Sequence, residues 1–317
     1  MIATTNELKA LITETIKRFV SLSAEIGSIE SQPILAGFQA VELLRHQVTL
    51  RGDHPNETRI SLITKQATLT ERRVLSQLYR QLVNVPYSFS FDTDSDRRAL
   101  VCIQDVDHAT DYTNLDIDNL QKRELRALAY LHSVNHGQQE RLSWLPKADR
   151  QHIVNMLNER WRPSWEAAKK NEQFRESYGS YIPEIETLAE HIAEEIEPVL
   201  QDEAAFTLIH NDLNPGNVLV HNNNDVIFID WEEARYGSLF LDVPLRCDNW
   251  EQAEQYRDAL ASYGVEIPHR QFKESYSLAS RYLGLRYMSW NLGTWMTDDR
   301  AKQGLQQYIR MTMTTVE

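Results

Sequence analysis

The sequence is poor in cysteine and has no long apolar run. Only two cysteines occur among its 317 residues, Cys102 and Cys247, and they show no spacing typical of a metal site. Nothing indicates a disulfide framework, so we expect a protein of the reducing cytoplasm. No apolar stretch approaches the roughly 20 residues of a membrane span, and the amphipathic start of the chain is typical of a helix, not of a signal peptide. We therefore expect no membrane partner.

Positive charge is also in short supply. The chain has 46 acidic residues against 33 lysines and arginines, and its formal net charge at pH 7 is -13. An acidic surface is repelled by a phosphate backbone, which argues against a nucleic acid as the partner. It suits a cationic small molecule, although acidity also serves solubility alone. The sequence does not indicate an oligomeric state.

Strand signals fill the first third of the chain, and helix signals dominate the rest. A capping box of Thr68 and Glu71 predicts a helix whose apolar stripe extends to Leu82. We predict an α+β protein of two lobes, with a five-stranded antiparallel sheet in residues 1–104 and a mainly helical lobe in residues 105–317. Apolar or β-branched runs predict five strands early in the chain and three short ones later: SIESQPIL, AVELLRHQVTL, RISLITKQA, PYSFSFD, RRALVCIQ, TLIH, NVLV and VIFI.

One stretch, HNDLNPGNVLVHNNNDVIFIDWEE, carries two carboxylates and an amide between them. Asp212 and Asn217 are five residues apart, as in a kinase catalytic loop, where the Asp accepts the proton of the substrate hydroxyl and the Asn holds Mg²⁺. Two short strands joined by a polar turn would fold back and bring Asp230 beside Asn217. Three oxygen-bearing side chains on a rigid loop and hairpin supply much of what phosphoryl transfer needs, namely positioning and charge neutralisation.

The alternative interpretation of this stretch is a plain turn. Asn, Asp, Pro and Gly are common turn formers, and NPGN would be ordinary between two strands. A lone D-x-x-x-x-N spacing is also frequent by chance. Here His-x-Asp, Pro-Gly-Asn, an apolar hairpin and Ile-Asp-Trp-Glu arrive together, and this combination favours a catalytic site.

The whole motif resembles that of the aminoglycoside phosphotransferase and choline kinase superfamily. The resemblance implies a protein-kinase-like fold and the transfer of phosphate from ATP, with Mg²⁺, to the hydroxyl of a small molecule. By motif position, Asp212 would be the catalytic base, and Asn217 and Asp230 would be metal ligands. Asp242 matches a family Asp downstream of the metal site, and we interpret it as structural support for the loop.

The same resemblance predicts a nucleotide site in the first lobe. Lys65 on the third strand would hold the α- and β-phosphates, paired with Glu71 on the following helix. Strand alternation puts Ile63 on the same face as Lys65, where it would cover the adenine. The linker from Gln104 to Val106 would meet the adenine through its backbone. The alternative is a solvated lysine at a strand end and a glutamate that only caps its helix.

Two departures from protein kinases stand out. A glycine-rich phosphate-covering loop is absent, and the expected place has only LAGFQA, with the single glycine Gly37. The second Asp motif is Asp-Trp-Glu and lacks the glycine of protein kinases. Many members of the superfamily also lack the glycine-rich loop. The missing loop therefore weakens the resemblance only slightly, and the Asp-Trp-Glu motif favours a small-molecule enzyme over a kinase with a regulated activation segment.

The acceptor is predicted to be a choline- or ethanolamine-type amino alcohol. Asn211 and the run IDWEEARY resemble choline and ethanolamine kinases more than aminoglycoside enzymes. Glu232 would offer negative charge near the amine, and Trp290 an aromatic face for it. Most aromatics near Trp290, namely Tyr282, Tyr287 and Trp295, have the spacing of an ordinary buried helix face. An aminoglycoside, homoserine, methylthioribose or a fructosamine stays open as the acceptor.

Two other classes of protein compete with an active enzyme. A catalytically inactive kinase-like binding protein would keep the fold and lose turnover, but all three catalytic polar groups are present. A purely structural helical protein would give no reason for the motif from His210 to Asp230. Nucleotide-dependent turnover separates these classes.

Overall fold

The structure is a computed structural model that describes residues 5–34, 43–51, 58–106 and 110–314. The expected glycine-poor loop at Gly37 and the predicted turn RGDHPNET lie, wholly or for the most part, outside the described residues. The helices are α1 (Thr5–Phe19), α2 (Leu69–Arg80), α3 (Ile117–Asn135), α4 (Arg150–Met156), α5 (Arg162–Lys169), α6 (Glu172–Tyr178), α7 (Ile182–Glu195), α8 (Glu197–Gln201), α9 (Trp250–Ser262), α10 (His269–Asn291) and α11 (Asp299–Thr312). The strands are β1 (Glu25–Pro33), β2 (Leu44–Arg51), β3 (Thr58–Ala67), β4 (Ser88–Phe89), β5 (Ala99–Gln104), β6 (Phe206–Ile209), β7 (Val218–His221), β8 (Asp225–Phe228) and β9 (Arg235–Ser238).

By packing, the chain divides into two compact units. The first comprises Met1–Ala127 and Asn214–Ala234, and the second comprises Leu128–Leu213 and Arg235–Glu317. The first unit holds an antiparallel sheet of five strands in the order β1-β2-β3-β5-β4. The predicted α+β class and the five-stranded antiparallel sheet are confirmed.

Helix α1 covers one face of this sheet. Its buried residues Leu11, Ile12 and Ile16 recur at helical spacing, as an amphipathic helix requires. They pack against Val48, Leu50, Leu62 and Cys102, which point to the same side of three neighbouring strands. Because side chains alternate along a strand, Ile63 and Lys65 of β3 lie on the opposite face. One face of the sheet is therefore apolar core, and the other carries the predicted nucleotide contacts.

Helix α2 begins and ends at residues whose chemistry explains both limits. The Thr68 side chain accepts a hydrogen bond from Glu71 N at 3.2 Å, which confirms the predicted helix start. The predicted apolar stripe is wrong at its far end. The helix stops at Arg80, and Leu82 lies beyond it, 83% exposed and with φ at 60°. A leucine in this left-handed region breaks the helical register, so Leu82 never reaches the core.

The β7–β8 hairpin belongs to the first unit. Asn84 O accepts a hydrogen bond from Phe228 N at 2.9 Å, and its side chain donates to Val226 O at 2.9 Å. His221 Nδ1 donates to Val106 O at 2.8 Å. These bonds explain why the hairpin packs with the first unit although it lies late in the chain. The division into lobes 1–104 and 105–317 stays a prediction.

The second unit is built around the long helix α10. Its buried positions include Tyr282, Leu283 and Met288. A Cβ added at Gly284 would lie 2.6 Å from Tyr308 O, so glycine is what lets α11 approach this closely. In the described ranges, none of the helices combines the length and the apolar character that a membrane-crossing segment requires.

A two-stranded sheet completes the second unit. Strand β6 pairs with β9 in antiparallel register, with Leu208 opposite Tyr236. Strand β6 was predicted from the sequence but β9 was not, because RYGS is short and contains a glycine, which is depleted in strands. Gly237 is needed there, since a Cβ at that position would lie 2.7 Å from Ala148 Cβ.

Candidate active site

The first unit brings three of the predicted residues together. Lys65 Nζ lies 2.7 Å from Glu71 Oε1 and 2.9 Å from Asp230 Oδ1. Lys65 comes from β3, the middle strand of the five-stranded sheet, Glu71 from the first turn of α2, and Asp230 from the chain just after β8. We call this group the Lys65 cluster. Residues up to 165 positions apart in the chain thus form one ion-paired group.

Burial and charge act against each other in the Lys65 cluster. Burial lowers the pKa of Lys65, but the carboxylates of Glu71 and Asp230 outweigh it, and the net pKa is raised above that of a free lysine. Burial raises the pKa of Glu71, and the Lys65 ammonium only partly offsets this. Lys65 is therefore held as a cation that can meet an anionic ligand.

Asn217 and Asp230 are placed by the β7–β8 hairpin. Asn217 O accepts a hydrogen bond from Ile229 N at 3.0 Å, next to the paired residues Val218 and Phe228. Asp230 directly follows Ile229 in the chain, with φ at 63° and a side chain that is 46% exposed. The hairpin therefore sets the two predicted metal ligands at the same end of a two-stranded ladder.

Glu232 also lies at the Lys65 cluster. Carboxylate oxygens of Glu71, Asp230 and Glu232 all fall within 4.8 Å of one another. Glu232 forms an ion pair with Arg98 as well. Carboxylate oxygens are ligands that a hard divalent cation prefers, so these three side chains could hold Mg²⁺. The predicted contact of Glu232 with an amine stays a prediction.

The predicted adenine contacts have partners of their own within the first unit. Gln104 N donates to Tyr87 O at 3.0 Å, and Val106 O accepts from His221 Nδ1 at 2.8 Å. Between them, the buried Asp105 accepts from Arg45 and from Ser61. Arg45 is the register partner of Ile63 on β3. The linker is thus tied to the sheet face that carries Ile63, while its role toward a nucleotide stays a prediction.

The loop that carries Asp212 lies in the second unit and is fixed by Asp242. The buried Asp242 carboxylate accepts from His210 N at 2.7 Å and from Asn211 N at 2.8 Å. His132 Nε2 donates to the same carboxylate at 3.3 Å. Two backbone N–H groups and a histidine thereby satisfy a buried charge, as such charges require. These contacts support our interpretation of Asp242 as the support of the loop.

Asn211 contributes its side chain to the loop and is buried. Its Oδ1 accepts from Arg286 Nη1 at 2.9 Å, and its Nδ2 donates to His152 Nε2 at 3.2 Å. Burial and nearby arginines, Arg235 and Arg286, lower the pKa of His152 to about 3, so this ring stays neutral. Asn211 has φ at 60°, a left-handed conformation that Asn tolerates better than most residues. Asn211 therefore shapes the loop.

Asp212 is half-buried, and Asp212 Oδ1 accepts a hydrogen bond from Tyr287 Oη at 3.1 Å. From the sequence, Tyr287 is only one aromatic of a helix face, and Arg286 was not among the predicted residues. The available signal was a single arginine, Arg286, within the mostly apolar run YLGLRYM near the C-terminal end of α10.

The other aromatics named from the sequence differ in how far they are buried. Tyr282 and Trp295 are buried, and Trp295 packs edge-on against Phe174 and Tyr178 in an aromatic core. Trp290 is 47% exposed at the end of α10. Of the four aromatics named from the sequence, Trp290 alone is exposed, as a ligand contact would need.

Comparison with solved structures shows a shared fold. Spectinomycin phosphotransferase, solved with ADP and spectinomycin, matches with a TM-score of 0.59 at 14% identity, over 96% of this chain and 97% of that one. Choline kinase from Cryptosporidium parvum matches with a TM-score of 0.59 at 14% identity, over 96% and 95% of the two chains. Choline kinase LicA from Streptococcus pneumoniae matches with a TM-score of 0.52 at 12% identity, over 97% and 99%. At such identities the likeness establishes the fold only.

Comparison of the sequence with curated proteins gives no match. Comparison with protein families matches residues 58–274, more than half of the chain, to the phosphotransferase enzyme family. The matched range includes the Lys65 cluster, Asn217, Asp212 and Asp242. The chain is therefore a member of the phosphotransferase enzyme family and has the fold of the aminoglycoside phosphotransferases and choline kinases.

Proposed function

We propose that the protein transfers the γ-phosphoryl group of ATP, with Mg²⁺, to the hydroxyl of a small cationic alcohol. The observation that carries the proposal is the Lys65 cluster. An ammonium held by one buried and one exposed carboxylate, beside the motif hairpin, is what a phosphate-binding lysine of this family needs. The crystallisation of spectinomycin phosphotransferase with ADP supports nucleotide use.

In the proposed reaction, Asp212 removes the proton of the acceptor hydroxyl as its oxygen attacks the γ-phosphorus. The new P–O bond forms while the bond from the γ-phosphorus to the bridging oxygen breaks, so ADP leaves and the proton stays on Asp212. Lys65 binds the α- and β-phosphates as a point charge. Asn217 and Asp230 would hold the Mg²⁺, which would supply neutralisation of the phosphate charge.

Choline or ethanolamine is the acceptor that we favour. An acidic chain, the Glu232 carboxylate and the exposed ring of Trp290 suit an ammonium group. Asn211 supports this choice less than its sequence position suggested. Its side chain is buried and forms hydrogen bonds with Arg286 and His152. An aminoglycoside is the second candidate, since spectinomycin phosphotransferase shares the fold at the same level as a choline kinase.

A screen of ADP release tests the proposal. Choline, ethanolamine, spectinomycin, other aminoglycosides, homoserine and neutral sugar alcohols are each supplied with ATP and Mg²⁺, with Asp212→Asn as the blank. We expect acceptor-dependent ADP release with an amino alcohol. Phosphorylation of a neutral sugar alone would overturn the acceptor class and leave phosphoryl transfer in place. ATP binding without any turnover would favour the inactive binding protein instead.

A further inference from the structure

Two consecutive residues of α10 contact two consecutive residues of the Asp212 loop. Arg286 Nη1 donates to Asn211 Oδ1 at 2.9 Å, and Tyr287 Oη donates to Asp212 Oδ1 at 3.1 Å. Both side chains on α10 are 1% exposed. The position of the Tyr287 hydroxyl is therefore set by the packed core of the second unit, not by solvent.

The direction of this hydrogen bond has a chemical consequence. A donor to a carboxylate favours its ionised form and so lowers its pKa. Burial holds the pKa of Tyr287 well above its ordinary value, with the charges of Asp212 and Asp242 adding to the effect, so the phenol keeps its proton and acts as a donor. A neutral donor stabilises a carboxylate less than a cation does.

Other groups face Asp212 within the second unit. The Asp212 N–H donates to His210 Nδ1 at 3.3 Å. The Asp212 charge is among the causes that raise the pKa of Tyr308, after burial. Arg286 and Asp242 act on the same neighbourhood, since both shift the pKa of Tyr287. Tyr287 is the group among these whose side-chain hydroxyl donates to the carboxylate itself.

We propose that Tyr287 is a positioning residue for Asp212. Its hydroxyl holds Oδ1 so that the carboxylate keeps one orientation when the acceptor hydroxyl arrives. The inference rests on the proposed role of Asp212 as the base. It assigns to the C-terminal part of α10, 75 residues further along the chain, a part in the proton transfer.

The test compares Tyr287→Phe with Tyr178→Phe. Tyr178 is also buried, but it packs in the aromatic core against Phe174 and Trp295. We expect Tyr287→Phe to lower kcat by about ten-fold, the scale of one hydrogen bond to a charged group. The acid limb of its kcat/KM profile should move to higher pH, because the carboxyl loses a donor. Tyr178→Phe should change neither, and both variants should melt within a few degrees of each other.

A second measurement does not need turnover. Carbon NMR follows the carboxyl carbon of Asp212, assigned by its loss in Asp212→Asn, through a pH titration of the full chain. The midpoint should be higher in Tyr287→Phe than in the wild type and in Tyr178→Phe. An unchanged midpoint would overturn the proposal and leave Tyr287 as a packing residue. A wild type that is inactive toward all of the acceptors would instead refute the proposed function. The titration would still decide whether the Tyr287 hydroxyl affects the Asp212 carboxyl.

Discussion

Lys65 Nζ lies 2.7 Å from Glu71 Oε1, and the glutamate is almost fully buried. A buried charge that loses its partner is costly, whereas the loss of both partners costs much less. Variants of the pair can therefore separate what this contact does for folding from what Lys65 does for a ligand.

Lys65→Met should raise the Kd for ATP by about ten-fold or more, because it removes a charged hydrogen-bond donor. It should also lower the free energy of unfolding by about 3 kcal/mol, because Glu71 stays buried without its cation. The double variant Lys65→Met/Glu71→Gln should recover most of the stability and none of the affinity. Calorimetric titration and urea unfolding measure the two quantities, with the exposed Lys122→Met as control. Affinity that returns together with stability would mean that Lys65 has only a structural role.

Asp212→Asn should lower kcat by about a hundred-fold or more, the usual scale for a positioned base. The fold and the affinity for ATP should change little, because asparagine fills the same space and Asp212 is half-buried. Steady-state kinetics and thermal melting check this, with the exposed Asp258→Asn of α9 as the matched substitution. Full activity in Asp212→Asn, with an identified acceptor, would show that another group removes the proton.

His46 should make the protein less stable in mild acid. Its ring is buried between Ser31 and Thr64, and burial lowers its pKa from 6.5 to about 4. The unfolded chain therefore binds a proton below pH 6.5 that the folded ring refuses until about pH 4. Stability should fall as the pH decreases through this window, by about 3 kcal/mol in total.

The measurement for His46 is the urea midpoint at several pH values between 7 and 4. His46→Gln should show a shallower loss of stability than the wild type over this range. His191→Gln is the control, because His191 is exposed and its ring bonds its own helix at Thr187 O. Equal slopes for wild type and His46→Gln would assign the acid sensitivity to other groups.

Substitution of the two predicted acceptor contacts, Trp290 and Glu232, should change the KM for the amine and not the KM for ATP. Trp290→Ala should raise the KM for the amine several-fold and leave the KM for ATP unchanged, since an exposed cation–π contact contributes about 0.5–1 kcal/mol. Glu232→Gln is expected to act in the same direction. The exposed Tyr181→Ala serves as control. If Glu232→Gln changed only the KM for ATP, Glu232 would act on the nucleotide through the Lys65 cluster and not on the amine.

Much of the fold could be predicted because its signals are local. The periodic apolar residues of α1, the Thr68 cap and the alternating strands each depend on neighbours within a few positions. The pairing of Lys65 with Glu71 was predicted for another reason, since the resemblance implies a lysine paired with a helix glutamate. The contact of Lys65 with Asp230, 165 positions further along the chain, was not predicted, because it follows from how the sheet and the hairpin pack.

What could not be predicted depends on partners distant in the chain. Strand β9 forms because β6 offers it an edge, not because RYGS favours a strand. Tyr287 meets Asp212 across 75 residues, and its spacing in α10 is that of any buried position. Asn211 was interpreted as a marker of substrate class. The structure gives it a left-handed backbone and two buried contacts, which sequence position alone does not reveal.

The two cysteines fall one in each compact unit, and both are buried. Burial raises the pKa of Cys102 to about 12, so its thiol is neither accessible nor ionised in the folded first unit. Cys247 is 8% exposed in the second unit. A thiol reagent therefore reaches each site only when that unit opens. The alkylation rates of Cys102 and Cys247 therefore report the local opening of the two units. A single alkylation series followed by mass spectrometry can measure the two rates separately.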